Sequence, residues 1–171
     1  LQNSLNFRSI VDGILQQVAN DQQAQREVVD IAFNRRISET KDVKGKLEEH
    51  LARVLKEISN MEDNIRNLEE AIAAKELPLK LTETRLHVRG DRPNIEKCND
   101  PAQFKLVEED GQIRVDINAL QHRLADSHAS LKALVRRQLD LEEDIQVKAN
   151  TLFIDEVQCM GMRESISLKS F

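Results

Sequence analysis

The sequence predicts an all-α fold: an elongated coiled-coil rod in which a long kinked helix turns through a short loop into a second, shorter antiparallel helix. Three observations lead there. Apolar residues recur in steps of three and four over long stretches. Charged residues make up 32% of the chain and aromatics 3%, with no Trp or Tyr, which suits helical seams and leaves little bulk for a globular core. Gly90, Pro93 and Pro101 fall close together and supply the one obligatory break, since proline removes a donor and glycine favours helix ends.

Residues 1–89 form the long helix. Over 4–38 its apolar residues are Leu5, Phe7, Ile10, Val11, Ile14, Leu15 and Val18, then Val28, Val29, Ile31, Ala32, Phe33 and Ile37. That face is wider than a two-stranded seam and implies more than one helical neighbour. The middle is sharper: Leu47, Leu51, Val54, Ile58, Met61, Ile65, Leu68 and Ile72 alternate in steps of four and three, and Leu79 and Leu86 continue one of the two positions. Its phase differs from the stripe upstream, which predicts a register shift near Gly45. Pro78 has good helix formers on both sides and predicts a kink, not an end.

Residues 90–100 are the connecting loop, and its far side carries a start signal. Asp100 is placed to cap, Pro101 suits the first helical position, and Gln103 stands three residues after the cap. Residues 101–150 form the second helix. Leu106, Ile113, Ile117, Leu120, Leu124, Leu131, Leu134, Leu141, Ile145 and Leu152 mark its seam, with Ser127, Gln138 and Lys148 at inward positions that fix register. Gly111 softens its first turns.

At 1.5 Å per residue the first helix would run about 130 Å and the second about 70 Å. Doubling back places 104–148 beside roughly 45–88, with Glu48, Glu57, Glu62 and Glu69 bordering one seam and Arg114, Arg123 and Arg137 the other. Residues 1–40 are then expected to find their partner outside this sequence. Residues 151–171 read as a C-terminal docking tail. Leu152, Phe153, Ile154, Asp155, Cys159, Met160 and Met162 are its contact residues, Gly161 ends any short helix, and the stretch from Ser165 to Phe171 is frayed or docked.

The net charge of −5 disfavours nucleic acid as a partner, and no apolar run approaches the roughly 20 residues that cross a bilayer. Two cysteines without an export signal point to a reducing interior. His50, His87, His122 and His128 are scattered along helices with no metal-binding spacing, and there is no phosphate loop or nucleophile motif, so neither an enzyme nor a cofactor is expected. Arg89-Gly90-Asp91 spells an adhesion tripeptide by coincidence. In a hairpin Cys98 and Cys159 stand too far apart for an intrachain bridge, which leaves an interchain one open. Stacking of copies end to end would instead bring the loop and the 150–163 segment together as longitudinal docking surfaces.

The stretch Arg92-Pro93-Asn94-Ile95-Glu96-Lys97-Cys98-Asn99-Asp100 resembles RPNVELCRD, the loop signature of the tektins. Arg92, Pro93, Asn94, Glu96, Cys98 and Asp100 match it, Ile95 is conservative, and Lys97 and Asn99 depart from it. VVDIAFNRR (28–36), KELPLKLTETRL (75–86) and NTLFIDEVQCMGMR (150–163) extend the resemblance in order, the last closest to the family's type-1 branch. The resemblance, with an opening Leu1 already in helical pattern, implies the C-terminal half of a longer tektin. It implies a filament-forming microtubule inner protein of ciliary and flagellar doublet microtubules, located in the lumen of the A-tubule. Tubulin, other tektins, further copies and other microtubule inner proteins would be its partners, and Arg92, Pro93, Asn94, Ile95, Glu96, Cys98 and Asp100 its assembly loop. A coiled-coil adaptor or tether without filament assembly is the alternative.

Overall fold

The computed structural model describes residues 2–97 and 99–166. Helix α1 spans Gln2–Gly90, a 3-10 turn spans Asn94–Glu96, and helix α2 spans Pro101–Phe153. A π-helical segment, Ile154–Met160, and a short helix α3, Gly161–Ser165, follow without a break. The described residues are all-α, as the spacing predicts. The chain divides into two compact units, one of residues 52–139 and one of residues 1–51 with 140–171.

In the unit of residues 52–139, the end of α1 and the start of α2 run antiparallel. α1 continues through Pro78 as helix, and the Thr82 hydroxyl, 1% exposed, donates to the Pro78 carbonyl at 2.9 Å. His87 and Arg89 in its last turn suit the negative end of the helix dipole. Val54 and Ile65 of α1 and Ile113 and Ser127 of α2 are buried. Three polar links set the register: Asn64 Nδ2 donates to Ser127 Oγ at 3.4 Å, Lys75 Nζ pairs with Asp116 at 2.9 Å, and Arg114 pairs with Glu83. These pairings agree with the predicted alignment of 104–148 beside 45–88. The charge partners differ from those expected, because Arg114 is shared between Glu83 and its own-helix neighbour Asp110.

In the unit of residues 1–51 and 140–171, α1 from residue 26 onward packs antiparallel against the end of α2 and the segments after it. Ile37, Leu141 and Leu152 are buried, with Phe33, Leu47, Leu51 and Ile145 half-buried beside them. Glu48, expected to face the other seam, pairs with Lys44 of its own helix at 2.7 Å. The burial pattern carries no register shift at Gly45. Ile37, Thr40, Lys44, Leu47 and Leu51 turn inward in unbroken steps of three and four. The apparent change of phase came from Phe7, Ile14, Val18, Val28 and Ile31, which are all exposed and do not belong to this seam. Its true members at 40 and 44 are polar and were invisible to an apolar count.

Leu141→Ala, at a site 3% exposed, is expected to cost about 2–3 kcal/mol by removing buried methyls and leaving a partly uncollapsed void. Phe7→Ala, at a site 68% exposed, should stay within about 0.5 kcal/mol. Urea unfolding followed by circular dichroism checks both.

Candidate functional site

The two segments expected to serve assembly lie in different compact units, so each is described by itself.

The loop begins where the Asp91 N–H donates to the His87 carbonyl at 3.1 Å and closes α1. Pro93 sits at φ −78°, ψ 135°, and Asn94 takes φ 42°, a left-handed conformation that asparagine accepts better than most side chains. The Glu96 N–H then donates to the Pro93 carbonyl at 3.0 Å and the Lys97 N–H to the Asn94 carbonyl at 3.1 Å, forming a tight 3-10 turn. This turn holds Ile95 outward, 94% exposed. Pro93, Asn94 and Glu96 are exposed as well, Arg92 is half-buried, and Cys98 lies outside the described residues.

Asp100 caps α2 as expected: its Oδ1 accepts from the Gln103 backbone N–H at 2.8 Å. The Gln103 side chain does not complete a capping box, because its Oε1 accepts from Arg89 Nε at 2.9 Å. Arg89 also donates to Asp100 Oδ1, so one guanidinium from the last turn of α1 ties down the first turn of α2. Sequence reasoning passed over Arg89 as part of a chance tripeptide. Its phase was the available signal, seven residues after the buried Thr82 and on the same helix stripe.

The C-terminal segment is anchored on α1. Leu152 and Asp155 are buried, and Cys159 (a free thiol) and Met160 are half-buried. Phe153, Ile154 and Met162 are exposed on the outer side, with Val157 between them. Arg36 Nε donates to Asp155 Oδ2 at 2.8 Å, and Lys41 pairs with Glu156. Further along, Arg163 Nε donates to Asp30 Oδ1 at 2.6 Å, and its guanidinium lies 6.0 Å from the centre of the Phe33 ring. Arg26 answers by donating to the carbonyls of Arg163 at 2.9 Å and Ile166 at 2.8 Å, while Arg163 donates to the Arg26 carbonyl at 3.1 Å. The Arg163 carbonyl also accepts the Ile166 N–H at 3.3 Å, and a cation beside these carbonyls suits the negative end of the last helical turn.

Two expectations are corrected here. Residues 26–41 of α1 do find a partner within this chain, in residues 155–166. Gly161 does not end a helix: at φ −61°, ψ −42° it continues one, directly after the π-helical segment. None of Arg26, Asp30, Arg36, Lys41 or Arg163 was singled out from the sequence, since charged residues on a helix normally face water and their pairing across more than a hundred residues leaves no local mark.

Arg36→Met is expected to leave the Asp155 carboxylate, 10% exposed, without its donor. The cost should be about 1–2 kcal/mol, part of the pair being screened on the 65% exposed Arg36 side. Faster amide hydrogen exchange over residues 150–166 would register it. The loop has a pH signature. The hydrogen bond from Arg89, the Gln103 N–H and the charges of Arg89 and Arg92 hold Asp100 below the usual carboxylate range. Because the folded value is the lower one, this anchor is fully present above the ordinary aspartate value near about 4 and is lost as pH falls through the folded value. Exchange protection of residues 99–104 should therefore hold from pH 7 to about 5 and fall away in acid. Asp100→Asn should begin less protected and show no such step.

A family model described as the Tektin family matches residues 1–167. Among curated proteins, Tektin-4 of Bos taurus is 44% identical over 160 residues, covering 94% of this chain and 36% of that protein. Tektin-4 of Xenopus laevis is 44% identical with the same coverage, and Tektin-4 of Homo sapiens is 41% identical, with 94% of this chain and 37% of that protein covered. The chain thus spans little more than a third of the length of the curated relatives it matches. That these relatives are Tektin-4 proteins gives no support to the expected type-1 placement. With the loop signature, the antiparallel helices and a family match over nearly its whole length, the chain belongs to the tektin family.

Proposed function

We propose that this chain is part of a structural, non-enzymatic filament protein of ciliary and flagellar doublet microtubules. In this reading it is a microtubule inner protein that stiffens the wall of the A-tubule from the lumen. It contacts tubulin, other tektins, further copies of itself and other microtubule inner proteins. The family match over residues 1–167 is the observation that carries the reading. The exposed side chains support it by supplying surface for neighbours. Ile95 stands out from the loop, Phe153, Val157 and Met162 line the outer side of the C-terminal segment, and Leu5, Phe7, Ile10, Ile14 and Val18 remain exposed on α1. Many weak contacts of this kind, repeated along a filament, add up through effective concentration.

The mechanism is geometric. Helices of fixed length impose a repeat, and the loop and the end of the C-terminal segment, where the inward heptad that runs through Cys159 gives way to Arg163, would mark position along it. Pro93, Asn94, Ile95 and Glu96 would form one docking surface and the outward residues of 150–163 the other.

Cryo-electron tomography of doublets from ciliated cells that express the tagged full-length protein tests the reading. Label inside the A-tubule at a regular longitudinal spacing is expected. A discrete oligomer in the cytosol, absent from doublets, would instead establish the adaptor alternative. Ile95→Asp, which leaves the helix seams untouched, is expected to lower incorporation into doublets by roughly tenfold, as loss of an anchoring side chain does. Unchanged incorporation removes the loop from the assembly surface.

A further inference from the structure

In the unit of residues 1–51 and 140–171, α2 turns Leu141, Ile145, Lys148 and Leu152 inward at heptad spacing, and Asp155 and Cys159 continue it. In an unbroken α-helix the next inward residues are Met162 and Ile166. Met162 is instead 62% exposed, and Arg163 is the half-buried residue. The π-helical segment Ile154–Met160 accounts for the difference, because its wider turn takes up one extra residue.

We propose that this segment is a one-residue register switch, giving the C-terminal residues two discrete seats on α1. In the π seat Arg163 faces α1. In the α seat the π turn is gone, and Met162 and Ile166 face α1. The chemistry of both seats is written in the same residues. The π seat is held by Arg163 on Asp30 and Phe33, and by Arg26 on the carbonyls of Arg163 and Ile166. In the α seat these polar links are exchanged for burial of two apolar side chains. Arg163 returns to water. Arg26 and Asp30 lie one turn apart on α1 with 3.8 Å between their charged atoms, so they satisfy each other once Arg163 leaves. Neither seat strands a charge, which is what allows two arrangements to compete. The outer face changes with the seat: only the π seat leaves Met162 outside with Phe153 and Val157.

Met162 is its own reporter, because its oxidation by hydrogen peroxide follows its exposure. The full-length protein is treated with peroxide, and sulfoxide at Met162 is followed by mass spectrometry against Met61 as reference. Asp30→Ala removes the close 2.6 Å partner of Arg163 in the π seat, whereas in the α seat it removes only the looser 3.8 Å pairing of an Arg26 that water can reach, so it should slow Met162 oxidation by roughly three- to tenfold as the α seat fills. Deleting Gln158 removes the extra residue, so a plain α-helix then carries Arg163 inward. In the deletion combined with Asp30→Ala, Met162 should stay as reactive as in the parent. Oxidation that is unchanged or faster in Asp30→Ala means that the segment has one seat or simply detaches, and overturns the switch. So does slow oxidation in the combined variant. If the deletion fails to fold, Asp30→Ala alone decides.

Discussion

Two paired helices that lack aromatic bulk can hide only a narrow strip of each other, and the spacing of that strip governs the rest of the structure. Among the described residues, Ile37, Val54, Ile65, Ile113, Leu141 and Leu152 are the large apolar side chains taken almost wholly out of water. They fall on the two inward positions of the three-and-four stripe, well apart from one another, so cohesion is spread thinly along each compact unit with no dense centre. A strip of this kind tolerates polar residues if each finds a partner. Thr82 returns its hydroxyl to the backbone, Ser127 meets Asn64, and Asp155 meets Arg36.

Those polar members also settle which residue faces which. Apolar strips slide by a heptad at little cost, whereas Lys75 on Asp116, Asn64 on Ser127 and Arg89 on Asp100 are met in only one alignment. The Arg89 contact does this at the point where the chain reverses. At the other end of the chain, the reciprocal donation between Arg26 and Arg163 plays the corresponding part for the last helical turn.

The Asp100 cap, the antiparallel alignment and the inward Ser127 could be read from the sequence, because each rests on local chemistry: proline geometry, cap hydrogen bonds, periodic spacing. Gly90 ends α1 one residue inside the predicted loop, within the usual uncertainty of a helix end. The phase at Gly45 was misread because exposed apolar residues such as Phe7 and Ile31 outweigh the polar inward residues Thr40 and Lys44 in any count of hydrophobicity. The anchoring of the C-terminal segment was illegible for a different reason. Its placement depends on a π turn that no composition signals, and on arginine pairings that exist only after the helices have met. Of the loop residues that resemble the tektin signature, Asp100 has a visible structural duty, while the exposed Ile95 has none among the described residues.

That contrast has a thermodynamic consequence. A greasy side chain on a floppy loop would first have to be frozen before anything could grip it, and the lost backbone freedom would be charged against the affinity. Around Ile95 the backbone is already arrested by the left-handed Asn94, the two 3-10 hydrogen bonds and the Arg89 tether behind them. A neighbour that received this residue would need to still only its two side-chain rotors, so less of the gain from burying it would be offset by ordering the loop.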